Sequence, residues 1–154
     1  MKINKITPCL WFDNNAEEAV EFYKTVFKNA KLISADKMPD GKVVVVFFEI
    51  EGQQFMGING GPMFKHSEAF SIYVDCKSQQ EVDDLWMKLT ADGGAESMCG
   101  WLKDKFGISW QIVPERLIQL MKDSDPAKAK RVMDAMLQMK KIDIQKLEDA
   151  YEGK

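Results

Sequence analysis

Hydrophobic and polar residues alternate over residues 6–12, and this period of two predicts a β-strand with two distinct faces. Asn14 or Asn15 then precedes apolar residues at helical spacing, which predicts a capped helix that runs to about Phe27. Further strands are predicted over residues 31–37, 43–50 and 53–58. The two faces of the first strand carry Ile6, Pro8, Leu10 and Phe12 on one side and Thr7, Cys9 and Trp11 on the other.

The second part of the chain repeats this order of elements. A strand over residues 70–75 is followed by a helix that Ser78 and Glu81 cap and that Gly93-Gly94 ends. Three more strands are predicted near residues 96–98, 100–103 and 109–113.

The two parts align with each other at their hydrophobic positions. A shift of about 62 residues places Val20 on Val82, and a shift of about 55 later places Gly52 on Gly107. The change of shift predicts shorter strands in the second part. We interpret the pattern as one β-α-β-β-β unit used twice, over residues 1–62 and 67–114.

The pattern becomes helical after Pro114, so residues 115–154 are predicted to form a helical extension. Asp125-Pro126 predicts the start of a second helix there, and Asp143 that of a third. The extension is expected to cover a sheet edge or a subunit interface. The predicted fold class is α+β, with residues 1–154 forming a single domain of two curved mixed sheets and a helical tail.

Composition narrows the class of protein. A chain of 154 residues with 45% hydrophobic residues fits one globular domain. With 21 basic against 24 acidic residues, a dedicated nucleic-acid binder is not expected. No apolar run reaches the roughly 20 residues that cross a bilayer, and no signal-peptide core follows Met1, so a cytoplasmic protein without a membrane partner is expected. Three cysteines without a CxxC pair favour reduced thiols.

The run over residues 99–114, CGWLKDKFGISWQIVP, resembles the PhnB-like branch of the vicinal oxygen chelate (glyoxalase/bleomycin-resistance) superfamily. Members of this branch often carry the label 3-demethylubiquinone-9 3-methyltransferase domain. Residues 7–12, 21–23 and 69–74 are similar to the same family, and residues 139–143 and 147–151 are similar to its ending. The resemblance implies that the sheets of the two modules enclose a cleft, and it implies a homodimer.

In metal-dependent relatives, four inward side chains from the first and last strands of the modules hold a divalent ion. The resemblance carries these positions onto Thr7 (or Pro8), Met56, Ala69 and Gln111, and the internal repeat pairs the same positions. Hard cations prefer carboxylates, carbonyls and water, whereas softer ones prefer imidazole or thiolate. This set offers no anionic ligand, so no metal and no other cofactor is predicted.

Strand parity and the repeat instead predict an apolar, aromatic site for a small-molecule ligand. The aromatic rings there are expected either to stack on the ligand or to fill the cleft. Trp110 falls on the opposite, helix-facing side and is predicted to lie in the core. Trp11→Ala and Gln111→Ala are therefore each expected to weaken binding. The predicted ligand-binding residues are Thr7, Cys9, Trp11, Met56, Ala69, Ser71, Tyr73, Trp101 and Gln111.

Catalytic residues are not identified by the sequence. His66, the only histidine, is either a general base or a surface residue of the linker. Cys9 and Cys99 lack an evident activating partner, which favours packing over nucleophilic chemistry. The favoured function is a small-molecule binding protein with a degenerate metal site and an apolar or aromatic ligand. The alternatives are a metal-assisted isomerase, lyase or dioxygenase that uses the same cleft and, more weakly, the methyltransferase of the family label.

Overall fold

Two units with the same order of elements make up the chain, and the computed structural model describes residues 2–154. Residues up to His66 form the first unit, and residues from Ser67 onward form the second. The first unit consists of β1 (Cys9–Phe12), α1 (Ala16–Val26), β2 (Ala30–Lys37), β3 (Val43–Ile50) and β4 (Gln53–Asn59).

The first sheet has the order β1-β4-β3-β2. β1 runs parallel to β4, with Cys9 beside Met56, and the other neighbours are antiparallel. One face packs against α1, where Tyr23 stacks on Phe48 at 6.1 Å and Phe48 stacks on Phe55 at 5.4 Å between ring centroids. The alternation of buried and exposed positions therefore leaves the second face of this sheet outside the core.

The N-terminus of α1 is capped by a distant asparagine. Asn15 occupies the cap position, but its side chain makes no capping hydrogen bond. Asn59, at the end of β4, accepts from the Ala16 N–H at 2.9 Å and donates to the Val43 carbonyl at 3.1 Å. Asn15 is therefore the cap residue, as one of the two predicted alternatives has it, but Asn59 makes the capping hydrogen bond, which local spacing cannot reveal because Asn59 belongs to another element.

The second unit repeats the topology, with the sheet order β5-β8-β7-β6 and β5 parallel to β8. Ser78 accepts from the Glu81 N–H at 3.2 Å, which confirms the predicted N-cap of the helix. The helix ends at Thr90, and a single 3₁₀ turn over Ala91–Gly93 follows, so it stops earlier than Gly93-Gly94 predicts. The elements are β5 (Ser71–Cys76), α2 (Gln79–Thr90), β6 (Ala95–Glu96), β7 (Trp101–Lys103) and β8 (Ser109–Pro114).

The repeat holds for the order of elements and for the faces of the strands. The second and third strands of the second unit are much shorter than β2 and β3, as the change of shift predicts. The two sheets differ in one register: Cys9 lies beside Met56, whereas Tyr73, the counterpart of Trp11, lies beside Gln111. Because this difference is two residues, every side chain keeps the face that the alternation predicts.

A buried carboxylate organises the turn between β7 and β8. Asp104 is 2% exposed, and one of its oxygens accepts from the N–H groups of Phe106 and Ile108 at 2.9 and 3.0 Å. The other oxygen accepts from the indole Nε1 of Trp110 at 2.9 Å. Trp110 is fully buried, as predicted, so this network fixes the large ring of β8 on the helix-packed side of the sheet.

The helical extension belongs to the second unit and has its own core. Asp125 and Asp143 cap the second and third of its helices through their carboxylates, as predicted. No helix within residues 2–154 has the length and apolarity that crossing a membrane requires. The extension comprises α3 (Glu115–Met121), α4 (Pro126–Met136) and α5 (Ile144–Glu152), and its core contains Val113, Leu117, Leu120, Val132, Ile142 and Leu147.

The buried ring of Trp110 generates a stability prediction. We expect Trp110→Ala to lower the free energy of unfolding by about 3–5 kcal/mol, because it removes a fully buried ring and leaves the Asp104 carboxylate without its indole donor. Urea unfolding measures this loss. Trp101→Ala, on the half-buried opposite side, is the control, and an equal loss in the two variants would contradict the assignment of the faces.

Candidate functional site

Three predicted ligand-binding residues lie side by side on the second sheet. Tyr73 of β5 is beside Gln111 of β8, and Gln111 is beside Trp101 of β7. Residues opposite each other in a sheet share a face, and this face is the one that does not carry Trp110. We call it the second-sheet face and define it by Ser71, Tyr73, Trp101, Lys103, Ser109 and Gln111.

Polar groups on this face are placed for hydrogen bonding. The Gln111 amide donates from Nε2 to the Ser71 hydroxyl at 2.9 Å, and its oxygen has no partner among residues 2–154. Tyr73 is 48% exposed. Partial burial raises the pKa of the Tyr73 phenol, with a further contribution from the nearby Asp75 carboxylate. The phenol therefore stays protonated near neutral pH and can donate a hydrogen bond.

Trp11 of the first unit is covered by the linker of that unit. Its indole Nε1 donates to the Gly61 carbonyl at 2.8 Å. The rings of Phe64 and Trp11 pack edge to face, with 4.9 Å between their centroids. Gly60 has to be a glycine here, because a Cβ would lie 2.1 Å from the Trp11 ring. Nε2 of His66 lies 2.7 Å from the Trp11 carbonyl. Removal of Trp11 would therefore disturb the linker as well as the sheet face.

The other predicted positions of the first unit offer few polar groups. Cys9 and Met56 are neighbours on the face of Trp11, and partial burial raises the pKa of the Cys9 thiol. Thr7 precedes β1, which begins at Cys9 rather than at residue 6, and its hydroxyl donates to the Asn4 carbonyl at 3.0 Å. The prediction that Thr7 belongs to the first strand is therefore wrong.

The four positions that the resemblance assigns to a metal do not fit one. Ala69 lies in an exposed turn before β5, not in the strand as predicted, and has no donor atom. Met56 offers only a thioether, and the Gln111 amide is bonded to Ser71. Within residues 2–154, no group of three or more histidine, cysteine, aspartate or glutamate side chains is placed to hold a metal. The donor set therefore lacks the anionic oxygen and imidazole ligands of ordinary divalent sites.

A cavity of about 540 Å³ lies at one end of the second-sheet face. Trp101 contributes an aromatic wall, Met98 contributes apolar surface, and Ser109 borders the cavity. This volume falls within the range of about 300–1,000 Å³ that is usual for small-molecule sites. The lining residues are Glu68, Ala95, Glu96, Ser97, Met98, Cys99, Trp101, Leu102, Lys103 and Ser109.

The charged groups around the cavity are already paired. Lys103 and Glu68 form an ion pair at 2.5 Å, and hydrogen bonding to Lys103 lowers the pKa of the Glu68 carboxyl. The Glu96 carboxylate accepts a hydrogen bond from the Trp86 indole at 2.8 Å and lies 3.5 Å from the ammonium of Lys140. The hydrogen bond from Trp86 is the main cause of the lowered pKa of the Glu96 carboxyl. Both carboxylates therefore remain ionised and neutralised near pH 7.

The helical extension holds one wall of the cavity in place. The N–H groups of Cys99 and Gly100 donate to the carbonyls of Met139 and Lys140 at 2.7 and 2.8 Å. Both donors have left-handed backbone, with φ of 59° at Cys99 and 81° at Gly100. At Gly100 a Cβ would meet the Ile112 carbonyl oxygen at 2.9 Å, so this close approach requires glycine.

Gln79 fastens the extension to α2, together with the ion pair between Lys141 and Asp83 at 2.6 Å. The Gln79 side chain donates to the Ile142 carbonyl at 3.0 Å and accepts from the Ile144 N–H at 2.8 Å. Ile142 is fully buried and approaches the Gly100 position. Gln79 thus connects the first turn of α2 to the segment that bonds the cavity wall.

Sequence reasoning identified Trp101 but missed the rest of the cavity. Ser109 precedes Gln111 by two residues, so strand parity alone would have placed it on the same face. Lys103 follows Trp101 by two residues and obeys the same rule. Glu68 and Met98 lie outside the strands, where periodicity carries no information about direction.

The topology defines the class of protein. Two four-stranded mixed sheets, each built in the order β-α-β-β-β, form the glyoxalase/bleomycin-resistance fold. The family model described as 3-demethylubiquinone-9 3-methyltransferase matches residues 4–113. The chain belongs to this PhnB-like family.

Solved structures agree with this assignment. The PhnB protein from Bacillus cereus is 33% identical, with a TM-score of 0.66, and the alignment covers 72% of this chain and 99% of that one. Protein PA1353 from Pseudomonas aeruginosa is 19% identical, with a TM-score of 0.57 and coverage of 73% and 98%. The fosfomycin resistance protein FosX from Listeria monocytogenes, solved with Mn(II) and sulfate, is 18% identical, with a TM-score of 0.54 and coverage of 71% and 90%. The last two show the fold alone.

The similarity stops before the helical extension. The family match ends at residue 113, so the expected likeness of the tail to the family's ending stays a prediction. Among proteins with curated descriptions, none matches this chain. The extension, including its bonds to Cys99 and Gly100, is therefore described from this chain's own contacts.

The link between α2 and the extension generates a second prediction. We expect Gln79→Ala to lower the free energy of unfolding by about 1–3 kcal/mol, because it leaves a backbone donor and a backbone acceptor unpaired. The same change should speed alkylation of Cys99 by iodoacetamide. Gln80→Ala is the matched control, since Gln80 bonds only to the exposed Asp84 and should change stability by less than about 0.5 kcal/mol.

Equal effects in the two glutamine variants would contradict the role of Gln79. Cys76 serves as an internal reference in the same experiment, because burial raises the pKa of its thiol to about 12. It should stay unmodified in every folded variant at pH 8.

A third prediction concerns the four positions that the family resemblance assigns to a metal, which are Thr7, Met56, Ala69 and Gln111. After incubation with Mn(II) or Zn(II) and desalting, elemental analysis should find well below one metal ion per chain, because residues 2–154 bring no anionic ligand set together. A stoichiometric metal that survives desalting would contradict this.

Proposed function

We propose that the protein binds a small apolar or aromatic molecule on the second-sheet face and that it does so without a metal. The observation that carries this proposal is the row of Tyr73, Gln111 and Trp101 across three adjacent strands. Two aromatic rings flank one carboxamide, so apolar contact and a directed hydrogen bond are available side by side. Mostly apolar walls with a few placed polar groups are typical of small-molecule sites.

Supporting observations come from the charge and protonation of the groups involved. The Gln111 oxygen is an unused acceptor, and the Tyr73 phenol is a neutral donor. Trp101 belongs both to the row of Tyr73, Gln111 and Trp101 and to the lining of the cavity. A ligand that contacts this row can therefore extend into the cavity, which is large enough for a small molecule. Participation of Thr7, Cys9, Trp11, Met56 and Ala69 stays a prediction.

The two enzymatic alternatives are less well supported by the residues. Metal-assisted isomerisation, lyase or dioxygenase chemistry needs ligands that the four carried-over positions do not offer. The methyltransferase in the family description usually goes with a doubly wound parallel sheet, whereas each sheet here contains only one parallel pair. Neither a metal step nor methyl transfer is therefore proposed.

A homodimer and a cytoplasmic location complete the proposal. The family resemblance supports the dimer, and three unpaired cysteines are compatible with a reducing compartment. Light scattering should give about twice the 17.6 kDa of one chain. A mass of one chain at all concentrations would exclude the dimer, but it would not contradict the proposed ligand site.

Binding is testable with N-phenyl-1-naphthylamine, a neutral aromatic dye that fluoresces in apolar surroundings. We expect saturable fluorescence with the native protein, and a loss of affinity of about fivefold or more in Gln111→Ala and in Trp101→Ala. Met87→Ala is the control, because Met87 is exposed on α2 and lies outside this face.

The outcome that contradicts the proposal is equally direct. Dye binding that is absent, or that is the same in Gln111→Ala, Trp101→Ala and Met87→Ala, would remove the second-sheet face as the site. Circular dichroism on each variant ensures that a loss of binding is not a loss of folding.

A further inference from the structure

We infer that the cavity beside Trp101 selects a neutral apolar molecule that carries one hydroxyl or carbonyl group, and that this group bonds to the side chain of Ser109. The inference deepens the proposed function and rests on it. It assigns a recognition residue that the row of Tyr73, Gln111 and Trp101 does not include.

The first observation is a buried hydroxyl without a partner. Ser109 is 1% exposed, and its Oγ makes no hydrogen bond to any of residues 2–154. Leaving a polar group buried and unpaired is unfavourable, so such groups call for an explanation. Ser109 lines the cavity, so a ligand that moves a neighbouring side chain aside and uncovers this hydroxyl can supply the missing partner.

The second observation is the charge balance of the lining. Lys103 is paired with Glu68, and Glu96 is held by Trp86 and Lys140. A charge on the ligand would have to displace one partner of these pairs or bind without a counter-charge, and both weaken binding relative to a neutral ligand. A hydroxyl or carbonyl group on the ligand can form a hydrogen bond with the Ser109 hydroxyl without introducing a charge.

The third observation is the shape and fixation of the walls. Trp101 and Met98 offer aromatic and aliphatic surface for the apolar part of the ligand. The loop that carries Met98 is held by the two backbone bonds from Cys99 and Gly100 to the extension. A wall fixed in this way favours a preformed recess, which reduces the cost of ordering the site when the ligand binds.

Three probes of nearly the same shape test the selection: p-cresol, toluene and p-toluate. They share a methyl-substituted ring and differ in carrying a hydroxyl, a hydrogen or a carboxylate. Titrations followed by the indole N–H resonance of Trp101, assigned with Trp101→Phe, should rank p-cresol first. We expect p-toluate to bind about tenfold or more weakly than p-cresol.

The side chain of Ser109 is tested by its removal. Ser109→Ala should weaken p-cresol binding about fivefold and leave toluene binding unchanged. The variant should fold, because it deletes a hydroxyl that has no partner in the free protein. Ser34→Ala is the matched control, since Ser34 Oγ is also buried and unpartnered but lies on β2 of the first unit. It should leave the affinity for all three probes unchanged.

The outcomes separate this inference from the proposed function. If the dye requires Gln111 but p-cresol has no advantage over p-toluate, or if Ser109→Ala binds p-cresol normally, the cavity inference is wrong and the proposed function stands. If neither the dye nor p-cresol binds the native protein, both are wrong. A tighter complex with p-toluate than with p-cresol would also overturn the inference, because it would show that a negative charge is favoured.

Discussion

The buried carboxylate of Asp104 is the interaction on which the second unit depends. It accepts from two backbone N–H groups of its own turn and from the indole of Trp110, so it fixes the turn and the first large ring of β8 together. Once Trp110 lies among the helices, Ser109 and Gln111 must lie on the other face, because neighbours in a strand point to opposite sides. A slip of one residue would bury the candidate ligand groups and expose the core ring.

The same constraint decides which residues the proposed binding face carries. The fold supplies two sheets with one face free of helices, and the residues on that face decide the chemistry. Here the four positions that correspond to metal ligands in metal-dependent relatives hold a hydroxyl, a thioether, a methyl group and an amide. The extension beyond residue 113 then holds the loop at Cys99 and Gly100, which bounds the recess next to Trp101.

Much of this fold was predictable from the sequence, because hydrophobic alternation and helical spacing are local signals. The element order of both units, the burial of Trp110 and the face of Gln111 follow from them. The cap on α1 was not predictable, since Asn59 acts from another strand. Nor was the covering of Trp11 by Phe64, or the fixation of the loop at Cys99, because those contacts join segments whose meeting depends on tertiary packing.

The second-sheet face and its cavity are proposed to hold a small neutral molecule. An isotope-filtered NOE experiment on the protein saturated with p-cresol tests this. We expect contacts from the ring protons of p-cresol to the indole of Trp101 and to the methyl group of Met98. Contacts confined to residues of the first unit, or to the exposed side of α2 near Met87, would contradict this proposal.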